Sequence, residues 1–325
     1  MKVPRTMWVA ASMMGLGLVL LAGGGEALVR GAVGLATLAR VSATVIGLTV
    51  VAAGTSMPEL VVSLEAATYG KTDLAVGNVV GSNIFNIVVI LGIASLIAPL
   101  RVVGNIVRLE YPVMLLASIQ LFLLSRDGRI DRLEGGFLVM CLVAFVAYAV
   151  WTATSATTRR ERAEFEQAVK HTATRTASWW RHTLLVAVGI GSLMVGSNVL
   201  VVGAVAFGQA LGVPETIIGL TVVAAGTSLP ELAASCVASV RGNHDIAVAN
   251  VVGSNIFNVL AIAGTTALIH PLPVPEPILE RDMWWMIGAS ILLLPIIKSG
   301  LRVSRFEGAV LIGGFAAYLV VLFRA

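Results

Sequence analysis

The sequence predicts an all-α polytopic membrane protein whose ten transmembrane helices form two inverted five-helix repeats. Three observations lead there. Of 325 residues, 57% are hydrophobic and only 12% charged, about half the ~25% charge of a soluble domain. The apolar runs are long enough to cross a hydrocarbon layer of about 30 Å, which takes roughly 20 helical residues. And one pattern occurs twice. GLTVVAAGTSMPELVVSL at 47–64 returns as GLTVVAAGTSLPELAASC at 219–236, and GNVVGSNIFNI at 77–87 returns as ANVVGSNIFNV at 249–259, at a constant offset of 172.

The spans follow in order. The first, roughly 7–38, sits behind MKVPRT and has the look of a signal peptide. Its counterpart at 187–197 is internal and cannot be removed, so it is read as a spanning helix. The second and third, 43–69 and 74–98, carry the two motifs, and Pro99, matched by Pro271, closes the third. The fourth, 106–124, has Glu110 where its counterpart has Asp282. After a one-residue insertion in the second half, Leu133-Glu134-Gly135 matches Phe306-Glu307-Gly308, and the fifth span runs over 133–151. The second set is 182–210, 214–240, 246–269, 279–297 and 305–323. The chain thus divides into a first five-helix repeat (1–151), a polar linker (152–181) and a second repeat (182–325). The linker's charge run suits a solvated amphipathic surface helix. An odd number of spans per repeat makes the second copy enter from the opposite side, a ground plan common among secondary transporters.

Counting Lys and Arg on the two sides sets the orientation. Arg40, Arg101, Arg108, the linker cluster, Arg241, Lys298, Arg302 and Arg305 fall on one side. Lys2, Arg5, Lys71, Arg126, Arg129, Arg132, Arg281 and Arg324 fall on the other. The excess puts the linker in the cytoplasm and both termini outside a cell (inner) membrane, with the lipid bilayer as the surrounding partner. The net charge of +4 arises mostly from these loop arginines and gives no reason to expect nucleic acid. Cys141 and Cys236 lie in apolar segments, in no metal-ligand spacing, and read as small buried side chains.

The motifs put Thr, Ser and Glu where lipid-embedded chains rarely tolerate them. Pro58 has no N–H, so the carbonyl of Gly54 loses its helical partner, and the helix should kink over Ala52–Ser56. Irregular backbone at this depth survives where it is packed in protein or lines a cavity. Thr55 and Ser56 stand four and three residues before Glu59, on one helical face, and Ser82 and Asn86 are likewise four apart. Inverted repetition brings Glu59 and Glu231 towards each other near the midplane. Such a cage holds two carboxylates, hydroxyls, amide oxygens and carbonyls, with no Lys, Arg or His nearby, and suits hard cations such as calcium or sodium. Two neighbouring carboxylates must share protons or hold a cation.

GTSMPEL with GSNIFN, and GTSLPEL with GSNIFN, resemble the paired signature motifs of the sodium/calcium exchanger family, within the calcium/cation antiporter superfamily. The likeness covers the whole chain and is closest to the compact prokaryotic type, since the linker has no room for a regulatory domain. The resemblance implies a secondary active antiporter, not an enzyme, that exchanges sodium for calcium by alternating access around a midplane site. It implies that Glu59 and Glu231, with backbone oxygens of Thr55 and Thr227, hold calcium. Ser56, Ser82, Ser228 and Ser254, with the carbonyls of Ala52 and Ala224, would complete sodium sites, and Asn86 and Asn258 would line the central position. No cofactor is implied beyond the transported ions. Several such exchangers have one Asp in the last pair, whereas this chain has Asn in both, so the cage carries at most two negative charges.

The alternative within this architecture is an antiporter exchanging protons for calcium or moving another divalent cation. Proton-coupled relatives usually show a different acidic motif where this chain has GSNIFN, which favours sodium. An intramembrane hydrolase is disfavoured, because His171, His182, His244 and His270 all fall outside the repeated motifs. A passive channel would show flux without a driving counter-ion. Asn78, Asn83, Asn250 and Asn255 read as structural supports. Glu26, one turn before Arg30, reads as half of a local ion pair, with a place on the ion pathway as the other reading. The glycines at 17, 24 and 31, matched at 189, 196 and 203, suit either a sliding surface or close helix packing.

Overall fold

A computed structural model describes residues 5–39, 41–102, 106–155, 179–212 and 224–324. The bulk of the linker and residues 214–223 of the span expected at 214–240 lie outside the described residues. The long helices begin where the sequence requires. α1 (Arg5–Ala39) leads to α2 (Ala43–Thr55) and α3 (Met57–Thr68), which meet at a bend of 42°. The bend falls at Ser56, two residues before Pro58, as the missing N–H requires. α4 (Thr72–Ile97) and α5 (Ile106–Asp127) follow, then α6 (Arg132–Ser155) and α7 (Trp179–Ala210). A single turn, Ala224–Gly226, precedes α8 (Leu229–Val240), and the break at Thr227 and Ser228 repeats that at Ser56. α9 (His244–Ile269), α10 (Met283–Lys298) and α11 (Arg305–Arg324) complete the chain.

Seven of these helices are long and apolar enough to cross a membrane, and the bent pair α2–α3 makes an eighth. This is a helical multi-pass membrane protein. α8 is short, and the residues before Ala224 lie outside the described ones; α10 runs on from a wide helical turn at Ile278–Asp282, where Glu280, Arg281 and Asp282 make the entry too charged to count with the seven. Burial sorts the helices. The apolar window of α9 is 89% buried and that of α4 67%, against 17–28% for α1, α6, α7 and α11. The helices bearing GSNIFN are therefore the centre of the molecule, and the other four lie at its periphery.

Local signals explain several ends. α6 and α11 each open on a reciprocal cap: Asp131 accepts from the Glu134 N–H (2.9 Å) while Glu134 accepts from the Asp131 N–H (2.8 Å). Ser304 and Glu307 repeat the exchange at 3.3 and 2.7 Å. Wide i→i+5 turns interrupt α4 at Asn86–Ile90 and α9 at Asn258–Ala263, directly at the last motif asparagine. Such turns occur often at functional positions because they re-aim side chains.

Two short ribbons tie the loops. β1 (Leu100–Arg101) pairs antiparallel with β4 (Arg302–Val303), and β2 (Arg129–Ile130) with β3 (Leu272–Pro273). Repeat-equivalent strands never pair with each other; each takes the partner that its equivalent's partner corresponds to. α5 runs from β1 to β2, so the two ribbons cap opposite ends of the bundle. α1 and α7 pack at backbone distance. A methyl placed on Gly24 would lie 2.9 Å from the Gly189 carbonyl oxygen, and one on Gly189 2.6 Å from the Leu28 nitrogen. Close packing is what these glycines supply.

Candidate cation site

The repeated residues converge at the middle of the molecule, and they do so crosswise. Ser56, at the kink between α2 and α3, donates to Glu231 Oε1 on α8 (2.9 Å). Ser228, at the second kink, donates to Glu59 Oε1 on α3 (3.1 Å). Each motif's hydroxyl thus holds the other motif's carboxylate. Both glutamates are 1% exposed, and they lie within electrostatic reach of each other. The hydroxyl of Ser82, on α4, is 3.3 Å from that of Ser228. Among the described residues, no Lys, Arg or His is buried.

The supporting asparagines follow the same exchange. Asn78 donates to the Glu59 carbonyl (3.1 Å) and to Ser63 (2.9 Å). Asn250 does likewise towards the Glu231 carbonyl (3.4 Å) and Ser235 (3.0 Å). Their side-chain oxygens accept from the opposite motif: Thr55 donates to Asn250 (3.3 Å) and Thr227 to Asn78 (3.5 Å). Asn86 donates to Asn255 and Asn258 to Asn83, both at 3.2 Å. The supports read from sequence, Asn78, Asn83, Asn250 and Asn255, therefore hold the backbone and the amides around the two glutamates.

Several oxygens here find no protein partner. Glu59 Oε2, Glu231 Oε2, Asn86 Oδ1, Asn258 Oδ1 and Ser254 Oγ are all buried and accept no hydrogen bond from any described group. Buried polar groups are normally paired, and these five oxygens, all on motif residues, offer lone pairs that meet no described donor. That chemistry fits a hard cation, which takes several oxygen ligands and no N–H. The donor set is carboxylate, amide and hydroxyl oxygen only, so soft-metal chemistry is not served.

The remaining expected positions divide. Ala52 is fully buried, but its carbonyl already accepts the Ser56 N–H (3.0 Å) and the Thr55 hydroxyl (3.4 Å), so the kink does not free it. Ala224 opens the turn before the second kink, at the edge of the described residues. The carbonyl released by Pro230 is that of Gly226, and it accepts the Ser197 hydroxyl of α7 at 2.5 Å. That contact has no equivalent in the first half, where Gly25 stands in place of Ser197, and no local sequence signal announces it. Glu26 pairs with Arg30, as its spacing suggests, and also with Arg241 at the end of α8, which donates to it at 2.7 Å. Arg241 lies ten residues past Glu231 along that helix, about 15 Å at the helical rise.

Comparison with known proteins adds an independent line. A family model described as sodium/calcium exchanger protein matches residues 9–151 and 181–324. A putative antiporter, CaxA, from Alkalimonas amylolytica is 37% identical over 322 residues, covering 98% of this chain and all of that one. The sodium/calcium exchanger MaX1 from Methanosarcina acetivorans is 33% identical, covering 95% and 97%. The solved structure of the sodium-calcium exchanger NCX_Mj soaked with zero sodium and calcium superposes with a TM-score of 0.83 at 28% identity, over 97% of this chain and 99% of that one.

Proposed function

Since this chain belongs to the sodium/calcium exchanger family, we propose that its crosswise oxygen cage is the transport site, and that the protein is an antiporter exchanging sodium for calcium across the membrane. The observation that carries the site assignment is the set of five buried, unpartnered oxygens on Glu59, Glu231, Asn86, Asn258 and Ser254. Glu59 and Glu231 supply the negative charge. The backbone oxygens of Thr55 and Thr227 join them around calcium. Ser56, Ser82, Ser228 and Ser254, with Ala224, complete the sodium positions, and Asn86 and Asn258 line the centre; Ala52, whose carbonyl is already engaged by Ser56 and Thr55, is left out. Calcium or two sodium ions balance the two carboxylates, and competition for one cage couples the fluxes. An empty cage leaves two buried charges facing each other, which disfavours the unloaded carrier from changing sides.

The architecture in this reading is ten spans in two inverted repeats, with 1–151 and 182–325 as the units and 152–181 between them. The ribbons support it, because the operation that exchanges β1–β4 with β3–β2 also exchanges the two ends of the bundle. The lysine and arginine count supports a cytoplasmic linker with both termini outside.

The test is transport by purified protein in liposomes. Sodium-loaded vesicles placed in sodium-free medium accumulate calcium, and potassium-loaded vesicles do not. Equal uptake by the two would remove sodium as the driving ion.

A further inference from the structure

Resting on the cage as the cation site, we propose that Met286 and Met114, acting through Asn83 and Asn255, fix the amide orientation of Asn258 and Asn86 so that each turns its carbonyl oxygen to the transported cation. An asparagine amide has two ends of nearly equal shape and opposite polarity. Only one of them serves a cation, and the other repels it. Neither Asn258 nor Asn86 chooses between the two by shape.

The choice is made two residues away. Asn258 Nδ2 donates to Asn83 Oδ1 (3.2 Å), and Asn83 Nδ2 donates in turn to the Met286 sulfur (3.5 Å). A thioether accepts a hydrogen bond and has none to give. Asn83 must therefore turn its NH2 to the sulfur and its oxygen to Asn258. That oxygen engages the NH2 of Asn258 and leaves the Asn258 oxygen open, as found. Reversing the amides would set the Asn83 oxygen against sulfur lone pairs and aim an N–H at the cage.

The second half of the molecule repeats the relay: Asn86 Nδ2 donates to Asn255 Oδ1 (3.2 Å), and Asn255 Nδ2 donates to the Met114 sulfur (3.5 Å). All six side chains are at most 2% exposed, so bulk solvent does not substitute for any partner. A methionine in a core is ordinarily an adaptable filler. Here Met114 and Met286 stand at the same offset of 172 as the motif residues, though they lie outside both motifs. They are positioning residues, since they act through the asparagines and touch no ion.

The experiment measures calcium affinity of the purified full chain by calorimetry. Met286→Leu keeps the volume and removes the acceptor, and weakens calcium binding about tenfold, the low end of outer-shell effects on metal sites. Met286→Gln returns an acceptor oxygen and restores affinity to within about threefold of wild type. A packing role alone predicts the reverse order, because Leu suits an apolar core better than Gln. Asn83→Leu weakens binding about tenfold in the natural chain but leaves affinity unchanged in the Asn258→Asp background, where both ends of the side chain are oxygen. Met286→Leu at wild-type affinity, Gln no better than Leu, or Asn83→Leu costing the same in both backgrounds would each overturn the relay. A wild-type protein that binds no calcium would overturn the site assignment instead.

Discussion

Replacing Glu231 by Gln removes one of two buried charges and also inverts the polarity of an atom facing the ion. Glu231 Oε1 accepts from Ser56 at 2.9 Å, while Oε2 is unpartnered. A glutamine that keeps Ser56 as the donor gives its oxygen to that hydroxyl and turns its NH2 to the open side. A unit charge about 3 Å from a divalent ion, at an effective dielectric near 20, contributes on the order of 10 kcal/mol. Most of that is offset by desolvation, and removing one member of a buried charged pair leaves a net loss of about 3–5 kcal/mol. The expected outcome is calcium affinity reduced by roughly 10²–10⁴-fold, with sodium-driven uptake at the level of empty liposomes. Glu59→Gln does the same, because Ser228 holds its carboxylate in the equivalent way. Calorimetry gives affinity, and uptake into sodium-loaded vesicles gives turnover. Retention of more than about a tenth of wild-type calcium affinity by either variant would refute the reasoning, since it falls outside the calculated range.

Further expectations concern other parts of the molecule. Calcium at 100 times its dissociation constant should stabilise the purified protein by about 2.7 kcal/mol, seen as a higher Tm in a thermal scan. The increment should vanish in Glu231→Gln. Glu26→Gln should leave calcium affinity within about twofold of wild type, because its partner Arg241 is about 15 Å from Glu231 along α8. A larger change in a binding titration would return Glu26 to the ion pathway. Gly189→Ala should cost about 1–3 kcal/mol and lower Tm by several degrees, because the added methyl meets α1 backbone at Leu28. An unchanged Tm would mean that α1 and α7 separate readily.

The breaks at Ser56 and Ser228 were legible in the sequence because proline acts through covalent structure that no packing reverses. The duplicated glutamates were legible for a similar reason, since charge in lipid demands an explanation at single-residue level. The caps at Asp131 and Ser304 went unread, although an acidic residue three positions on from a capping side chain is a local signal. The crosswise pairing was not. Spacing places Ser56 and Glu59 on one face, but the bond that forms runs from Ser56 to Glu231, across helices no local rule connects. Arg241 escaped for the same reason, being 215 residues from Glu26. The Ala52 carbonyl, implied as a sodium ligand by the resemblance alone, keeps the helical bond from Ser56, because proline removes a donor only from the residue four before it. Met114 and Met286 carried a usable signal in their shared offset, hidden by how unremarkable methionine is in an apolar segment.

The exchange of hydroxyls between the motifs bears on how such a chain came to exist. A polypeptide made of one half alone would present a carboxylate whose steadying serine belongs to a different molecule. On the inverted arrangement proposed above, it could rebuild the cage only by meeting a second copy inserted upside down, from an ancestor that entered the bilayer both ways. On that reading, fusing two copies fixes one of each orientation in every molecule and frees the halves to drift apart. Gly25 opposite Ser197, and Glu26 opposite Asn198, are positions where the halves have diverged even in contact, since Gly25 lies against Ala233 and Val237 and Glu26 pairs with Arg241.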